Sequence, residues 1–252
     1  MSDEMRAVRH NRTMSDTIHG SPVHDALVER VGAAIVQGEH PAGTRLLTAD
    51  LAESSGASRS AAREAVRVLE SLGLVQVRRK AGIEVLSVEH WNVYAPEVIA
   101  WRLDGPDRDR QLHELGELRG AVEPVAARLA AVNATDAQRE ALVAAALAMA
   151  RNEQRADDAD YLAADVRFHR TLLRASGNPM LGMLGDVVQS VLEGRTRLAL
   201  MPQAANPEAV RWHRDVAFAV AGGDAEAAFE AMSRIVGESD AAIDEAAVAE
   251  RG

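Results

Sequence analysis

Hydrophobic residues recur every three or four positions along most of the chain, which is the spacing of amphipathic α-helices. Toward the N-terminus the predicted elements are short: helices at residues 23–37 and 49–55, a strand at 44–47, and a third helix from Ser58, its N-cap, to Leu72, with Gly73 after its end. Two β-like runs, LVQVRRK and AGIEVLS, then predict a hairpin around Gly82. Thr48 is placed to cap the second helix. This order of elements predicts a winged helix-turn-helix at residues 22–86.

From residue 109 to residue 249 the hydrophobic spacing is helical throughout. The predicted helices are 109–132, 136–152, 157–175, 180–201, 207–221 and 224–249. The apolar stripe of the first helix is formed by Leu112, Leu115, Leu118, Val122, Val125 and Leu129, and Pro124 predicts a kink. Short links between helices are typical of antiparallel bundles. The fold class is therefore predicted to be mainly α, with an N-terminal winged helix-turn-helix and a C-terminal all-α antiparallel bundle of about six helices.

Two segments lie outside these domains. Residues 1–21 have no hydrophobic period and end at a Gly-Ser-Pro turn, so we expect a mobile N-terminal arm. Residues 87–108 are predicted to be a connector. In it Trp91, Tyr94, Val98 and Trp101 are spaced to share one helical face, which indicates packing between the domains. The alternative is a buried apolar staple with no role in signalling.

Composition narrows the class of protein. Hydrophobic residues make up 47% of the 252 positions and aromatic residues only 3%, which favours closely packed helices over β-sandwiches. The sequence has no cysteine, so disulfides and thiolate metal sites are excluded. Because the sequence also lacks an apolar run of about 18 residues, we expect a cytoplasmic protein with no membrane partner.

Positive charge is concentrated in one region of an acidic chain. The whole sequence has a net charge of −10, whereas residues 58–82 hold six basic residues against two acidic ones, a local charge of +4. Arg59, Arg63 and Arg67 recur every four residues and form a stripe on the third helix. Such a stripe is often only a solvated helix face, but its concentration here, beside a basic hairpin turn, indicates contact with nucleic-acid phosphates.

The N-terminal region resembles a known family. The run G-E-H-P-A-G-T-R-L, followed by L-A-E-S-S-G-A-S-R-S-A-A-R-E-A-V-R-V-L-E-S-L-G-L-V, resembles the DNA-binding domain of GntR-type bacterial transcription regulators. The resemblance covers residues 23–86 and implies double-stranded operator DNA as a partner, contacted by Arg59 and Arg63, with the wing near Gly82 in the minor groove. The residues expected at this interface are Thr48, Ser58, Arg59, Ser60, Arg63, Arg67, Arg79, Lys80 and Gly82. Ala49 stands where the family commonly has an arginine, so one contact is missing or is supplied by another residue.

A second candidate site begins with Asp165 and His169, which are four residues apart. At that spacing their side chains share one helix face, and a carboxylate and an imidazole can together bind a divalent cation. Pairs with this spacing are also common on exposed helices without any metal. The spacing alone therefore leaves both interpretations open.

The C-terminal region extends this interpretation by a second resemblance. The segments E-L-R-G-A-V-E-P, D-V-R-F-H-R-T-L-L-R-A-S-G-N-P-M-L and W-H-R-D-V-A-F-A-V-A-G-G-D-A-E-A-A are similar to the FCD-like ligand-binding domain of the FadR-type branch, over residues 112–240. The resemblance implies a divalent metal ion, zinc, nickel or manganese, bound by Asp165, His169 and His213. Many members have a further histidine where this chain has Ile235, so a three-ligand site with open coordination positions is expected.

Three arginines are candidate contacts for a carboxylate effector. Arg119 belongs to the E-L-R motif of the family, and a guanidinium suits bidentate binding of a carboxylate. Arg195 and Arg197 lie in an otherwise apolar helix. They could add a second clamp, or they could form interhelical ion pairs instead.

The combined prediction is a homodimeric transcription regulator, a repressor, that binds a palindromic operator and responds to a small carboxylate. The connector W-N-V-Y-A-P-E-V-I-A-W-R-L resembles regulators of sugar-acid catabolism of the galactonate type, so a sugar acid is the expected effector. Two alternatives stay open. One is a metal-dependent enzyme of small-acid metabolism, although no nucleophile motif accompanies the cluster and we expect no catalytic residue. The other is a DNA-binding protein whose bundle only dimerises.

Overall fold

A computed structural model of the protein describes residues 22–79 and 82–249. The predicted arm at residues 1–21 and the turn residue Lys80 lie outside the described residues. The chain divides into two compact units, and the boundary between them falls between Trp91 and Asn92, inside the predicted connector.

The first unit is a small domain in which the described residues form three α-helices, one short 3-10 helix (Val88–His90) and three strands. Its elements are α1 (Pro22–Val36), β1 (Arg45–Leu46), α2 (Thr48–Ser55), α3 (Arg59–Ser71), β2 (Val75–Arg78) and β3 (Gly82–Val85). The strands form an antiparallel sheet in the order β1-β3-β2, with Arg45 opposite Glu84 and Arg78 opposite Gly82. Its core includes Leu27, Val31, Ala62, Val66, Leu69, Leu74 and Ile83. The predicted winged helix-turn-helix is confirmed.

The two ends of α3 follow from its sequence. Ser58 is the N-cap that the sequence predicts, because its Oγ accepts a hydrogen bond from the backbone N–H of Ala61 at 3.1 Å. Gly73 follows the helix with a φ of 73°, a left-handed conformation that favours glycine. A Cβ atom at Gly73 would lie 2.0 Å from the carbonyl oxygen of His90, so the close approach of the backbone also requires glycine.

The second unit is helical. Its α-helices are α4 (Pro96–Leu103), α5 (Arg108–Asn133), α6 (Asp136–Arg151), α7 (Ala159–Ala175), α8 (Pro179–Gly182), α9 (Gly185–Arg197), α10 (Pro207–Gly222) and α11 (Ala225–Ala249). The helix α5 packs against α11, α7 and α10, and α7 also packs against α6 and α9. Thr135 and Gln138 form a reciprocal capping box at the start of α6. The predicted mainly helical C-terminal region is confirmed.

The buried face of α5 differs from the predicted leucine and valine stripe. Val125, predicted to be buried, is 41% exposed, and the helix runs through Pro124 without ending. The buried residues are mainly small or charged: Gly116, Arg119, Glu123, Pro124, Ala126, Ala127, Ala130 and Ala131, besides Gln111, Leu112 and Leu115. Small side chains let neighbouring helices approach closely, and they leave the two charged residues facing the interior of the bundle.

Three local predictions are wrong. The helix predicted at residues 180–201 is divided into α8 and α9, because glycines at 182 and 185 weaken it, and it ends at Arg197. Thr48 does not cap α2 but is its first residue, and the N-cap Leu47 makes no side-chain hydrogen bond. Trp91 and Tyr94 do not share a helical face with Trp101, because α4 begins only at residue 96.

Where the chain is described, none of its helices has both the length and the apolar surface that crossing a membrane requires.

Candidate functional site

The outer face of α3 carries the basic residues predicted to contact DNA. Ala62, Ala65, Val66 and Leu69 face the core of the first unit, which leaves Arg59, Ser60, Arg63 and Arg67 exposed. Arg67 forms an ion pair with Glu64 at 2.7 Å. Arg59 and Arg63 make no ion pair or hydrogen bond with the described residues, so their guanidinium groups are available to an anionic partner.

The hairpin places further predicted residues at its tip. Arg78 is paired with Glu84 at 2.9 Å, whereas Arg79 is exposed and has no ion pair among the described residues. Gly82 has a φ of 82°, and a Cβ atom there would lie 2.9 Å from the carbonyl oxygen of Leu46. Glycine is therefore required where β3 begins.

One predicted DNA-contacting residue has a local structural role, and another is partly covered. The hydroxyl of Ser58 is engaged in capping α3, and Thr48 is half-buried in the first turn of α2. Lys80 lies outside the described residues.

The three predicted metal ligands lie together in the second unit. Asp165 and His169 come from α7 and His213 comes from α10, and one ligand atom from each lies within 4.8 Å of the others. Asp165 Oδ1 is 3.2 Å from Nε2 of His169 and 3.6 Å from Nε2 of His213. All three side chains are buried.

The other nitrogen of each imidazole determines which atom faces the cluster. His169 Nδ1 lies 2.6 Å from Glu123 Oε2, and His213 Nδ1 lies 2.7 Å from the carbonyl oxygen of Ala209. An ionised carboxylate and a carbonyl oxygen can only accept, so each Nδ1 carries the hydrogen and donates it. Each Nε2 is thereby directed toward Asp165 Oδ1. Such an outer contact to a metal-binding imidazole fixes the tautomer and the orientation of the ring.

The cluster contains polar atoms that lack a partner. Among the described residues, Asp165 Oδ1 and His213 Nε2 are buried and make no hydrogen bond of acceptable geometry. A buried polar atom without a partner costs roughly 1–3 kcal/mol. Carboxylate oxygen and imidazole nitrogen are suitable ligands for zinc, nickel or manganese. These residues therefore fit a divalent cation.

The charged groups around the cluster shift one another's pKa values. Burial disfavours the ionised form of Glu123, but the charges of Arg119 and His169 lower its pKa to about 2. Burial alone would also lower the pKa of His169, but Glu123 and Asp165 raise it to about 9. Burial would raise the pKa of Asp165, but the imidazoles of His169 and His213, 3.2 Å and 3.6 Å from its Oδ1, hold it well below its usual range. Two ionised carboxylates thus face the ring of His169.

Phe168 orients the two imidazoles from the side. Its ring makes edge-to-face contacts with His169 at 5.5 Å and with His213 at 5.0 Å between centroids. Because Phe168 is fully buried, its ring fills the space beside both imidazoles.

A cavity of about 90 Å³ adjoins the cluster. Its lining residues are Arg119, Tyr161, Asp165, His169, Leu192, Arg195, Met201, Pro202, Ala205, Asn206, Ala209, His213, Ile235, Glu238, Ser239 and Ala242. Ile235 lines the cavity from α11, so the position of the absent histidine faces the same space. The lining combines cations, hydroxyl groups and apolar surface, as small-molecule sites commonly do.

Two of the three predicted arginines reach this cavity. Arg119 Nε donates to Glu123 Oε1 at 2.7 Å, and its Nη1 lies 3.4 Å from Ser239 Oγ. Arg195 Nη1 donates to the same Ser239 oxygen at 2.7 Å, whereas its Nε is buried and makes no hydrogen bond with the described residues. Burial and the neighbouring charge of Arg119 lower the pKa of Arg195. Arg195 therefore has a donor available for an anion.

Arg197 lies outside the cavity. It is two residues from Arg195, so its side chain leaves α9 on a different face. There its guanidinium pairs with Asp104, and its side chain is 47% exposed. Of the alternatives for Arg197, the ion pair is the one that the structure contains.

The sequence prediction missed Glu123 and Ser239. Glu123 lies in the E-L-R-G-A-V-E motif, four residues after Arg119. That spacing places both side chains on one face of α5, and it is the signal that could have identified Glu123. Ser239 has no such pattern, because a single serine in an alanine-rich helix has no local feature that marks it.

Family comparisons agree with the two units. Residues 24–85 match the model of "Bacterial regulatory proteins, gntR family", and residues 114–238 match the FCD domain. The galactonate operon transcriptional repressor of Escherichia coli (strain K12) is 30% identical over 217 residues, which cover 85% of this chain and 94% of that protein. The HTH-type transcriptional regulator LutR of Bacillus subtilis (strain 168) is 34% identical over 159 residues, covering 63% of this chain and 70% of LutR.

The fold also matches a solved structure. The structure of Lar, described as controlling the expression of the Listeria monocytogenes agr system, superposes with a TM-score of 0.56. The superposition covers 90% of this chain and 99% of Lar, at 20% sequence identity. At that identity the likeness concerns the fold alone.

Proposed function

The chain belongs to the GntR family of bacterial regulatory proteins and carries an FCD domain, and on this basis we propose that it is a homodimeric repressor that a small sugar acid releases from operator DNA. It is a transcription regulator. The repression, the dimer, the metal and the nature of the effector are the parts that we propose. The relative named as the galactonate operon repressor supports a sugar acid as the class of effector.

The observation that carries the proposal is the buried cluster of Asp165, His169 and His213 beside Arg195. Asp165 Oδ1 and His213 Nε2 in the cluster, and Arg195 Nε beside it, are buried and make no hydrogen bond with the described residues. Unpaired polar groups are costly inside a protein, so this cavity is suited to a divalent metal together with a carboxylate. A metal bound there would supply a Lewis-acidic anchor for an oxygen atom of the effector.

The arginines would have unequal roles in binding the carboxylate. Glu123 already accepts the Nε hydrogen of Arg119, so Arg119 contributes mainly charge and its Nη1 edge. Arg195 retains its Nε donor, and we assign the direct contact to it. Ser239 receives hydrogen bonds from both guanidinium groups, so its own hydroxyl hydrogen is free to donate to the effector.

Effector binding would act on the arrangement of the helices. The residues of the site come from α5, α7, α9, α10 and α11, so a ligand in the cavity contacts five helices at once. A ligand shifts a conformational equilibrium only to the extent that it binds one state better than another. Two copies of α3 in a dimer would bind the two halves of a palindrome, and a change in their separation would weaken that binding.

The test combines metal, effector and DNA. Metal-free protein is titrated with zinc, nickel or manganese, and galactonate and other sugar acids are then screened by thermal shift with and without the metal. We expect sugar acids to raise the melting temperature only when metal is present, and to release a fluorescent operator duplex selected from a random DNA pool. The enzyme alternative predicts that the sugar acid is consumed, whereas a regulator returns it unchanged.

A control substitution distinguishes loss of the metal cluster from a general effect of replacing a histidine. His113 lies on α5 with a side chain that is 66% exposed, so His113→Ala should keep the metal response. Loss of the metal response in His113→Ala as well as in His169→Ala would remove the cluster from the proposal. If metal and sugar acids leave the melting temperature unchanged, the bundle serves dimerisation only.

A further inference from the structure

Glu238 and Asn206 form a second polar wall of the cavity, separate from the arginines. Asn206 is the N-cap of α10, and its Oδ1 accepts a hydrogen bond from the backbone N–H of Glu208 at 3.0 Å. Because Oδ1 is used in capping, the amide nitrogen is directed elsewhere, and it donates to Glu238 Oε1 at 3.1 Å. Capping of α10 thus fixes the position of the Glu238 carboxylate.

Glu238 retains hydrogen-bonding capacity that the protein does not use. Its Oε2 makes no hydrogen bond with the described residues, and its carboxylate forms no ion pair with Arg195, although both residues line the cavity. The cavity therefore contains an anion and a cation that are both incompletely paired and that do not pair with each other. A ligand that bridges them needs a negative group for Arg195 and a hydrogen-bond donor for Glu238.

The nearby hydroxyl groups fit the same ligand. Tyr161 is buried and lines the cavity, and burial together with the charges of Asp165 and Glu238 raises its pKa, so it stays protonated. Neutral hydroxyl groups of Tyr161 and Ser239 can exchange hydrogen bonds with ligand hydroxyls. A second ligand carboxylate, in contrast, would lie beside the negative charge of Glu238, and the other cation of the lining, Arg119, is already paired with Glu123.

We infer that Glu238, held by Asn206, determines specificity by accepting a hydrogen bond from an effector hydroxyl, so that the site selects hydroxylated monocarboxylates over dicarboxylates and over unhydroxylated acids. The inference rests on the proposed function, because it assumes that an acid binds at Arg195. It assigns Glu238 a role in selecting the effector, which is separate from the role of the candidate metal ligands.

The test compares acids with the same carbon skeleton. Galactonate and galactarate differ in that the latter carries a second carboxylate, and hexanoate has the same chain length without hydroxyl groups. Affinities are measured by calorimetry on the full-length, metal-loaded protein. For the wild type we expect galactonate to bind at least about tenfold more tightly than the other two, as a hydrogen bond to a charged group would provide.

Glu238→Gln keeps the shape of the side chain and removes its charge. We expect it to weaken galactonate binding by about tenfold and to strengthen galactarate binding, so the ratio of the two constants falls by more than tenfold. Glu230→Gln, an exposed position on the same helix, should leave the ratio unchanged. If Glu238 had a purely structural role, the substitution would weaken the binding of galactonate and galactarate equally. An unchanged ratio of the two binding constants would therefore overturn the inference.

The outcomes separate this inference from the proposed function. If the metal-loaded wild type binds galactarate as tightly as galactonate, the assignment of Glu238 is wrong while the proposed function stands. If it binds metal but no sugar acid, the proposed class of effector fails as well. If the wild type binds no metal, the proposed function itself fails.

Discussion

Glu123 Oε2 lies 2.6 Å from His169 Nδ1, and both side chains are buried inside the helical unit. The same carboxylate accepts a hydrogen bond from Arg119 Nε at 2.7 Å through its other oxygen. One residue of α5 therefore orients a candidate metal ligand on α7 and also holds an arginine at the wall of the cavity. Any change in the position of Glu123 would be transmitted to both.

Glu123→Gln should weaken metal binding. The amide can still accept a hydrogen bond from His169, but it lacks the negative charge that makes the imidazole a stronger ligand. Loss of an outer contact of this kind typically reduces metal affinity about 10- to 100-fold. Competition with a chromophoric chelator measures the affinity, and Glu117→Gln, an exposed substitution on the same helix, is the control. Equal affinities of Glu123→Gln and the wild type would contradict the positioning role.

Asp165→Asn should remove most of the stabilisation that a metal provides. A metal at a hundredfold excess over its dissociation constant stabilises the folded state by about 2.7 kcal/mol, and the substitution removes the anionic ligand that holds it. Chemical denaturation with and without added zinc measures the difference. A zinc-dependent gain that persists in Asp165→Asn would show that the metal binds elsewhere.

Arg63→Ala should reduce operator affinity without unfolding the first unit. Arg63 is exposed and unpaired among the described residues, and one good base contact contributes about 1–3 kcal/mol per half-site. Fluorescence anisotropy with a selected operator measures the loss, and circular dichroism verifies the fold. Arg151→Ala, which removes the same charge from the exposed surface of α6, should bind DNA as the wild type does.

Operator affinity should fall steeply as salt rises. Each phosphate contact contributes about −0.9 to the slope of log K against log salt concentration. Arg79 is exposed at the hairpin tip, so Arg79→Ala should make the slope shallower by about 1 for each such contact it makes. A salt-independent affinity of the wild type would argue against a phosphate-dominated interface.

Gly73→Ala should destabilise the first unit. A side chain at Gly73 combines an unfavourable positive φ, which costs about 1–3 kcal/mol, with a Cβ that would lie 2.0 Å from the His90 carbonyl oxygen. Gly56→Ala is the control, because Gly56 has a φ of 63° but nothing lies within 4 Å of its added Cβ. Hydrogen exchange of the backbone amides of α3 measures the loss of stability in both variants. We expect faster exchange in Gly73→Ala than in Gly56→Ala.

Local pattern predicted much of the fold. The hydrophobic period and the cap at Ser58 predicted α3, and the alternation after Gly73 predicted the hairpin. The division of the 180–201 segment was missed, because apolar spacing continues across its glycines and the helical period alone does not show that the backbone turns there.

The candidate site was predicted only in part, because local sequence patterns do not reveal contacts between distant residues. Motif resemblance identified Asp165, His169 and His213, and the structure brings them together. The contact between Glu123 and His169 joins residues 46 positions apart, and no spacing within one helix can reveal it. Arg195 and Arg197 looked alike in sequence, and only the packing of α9 shows that one faces the cavity while the other pairs with Asp104.

The close approach of Gly73 to His90 also determines where the DNA-binding domain should end in a fragment or a chimaera. The indole N–H of Trp91 donates to the carbonyl oxygen of Leu86 at 3.0 Å, so the chain folds back on the winged domain after its last strand. A fragment that stops at residue 86 would lose both contacts. Chimaeras that join this DNA-binding domain to a foreign sensor should therefore keep the native sequence through Trp91 and begin the exchanged segment at Asn92.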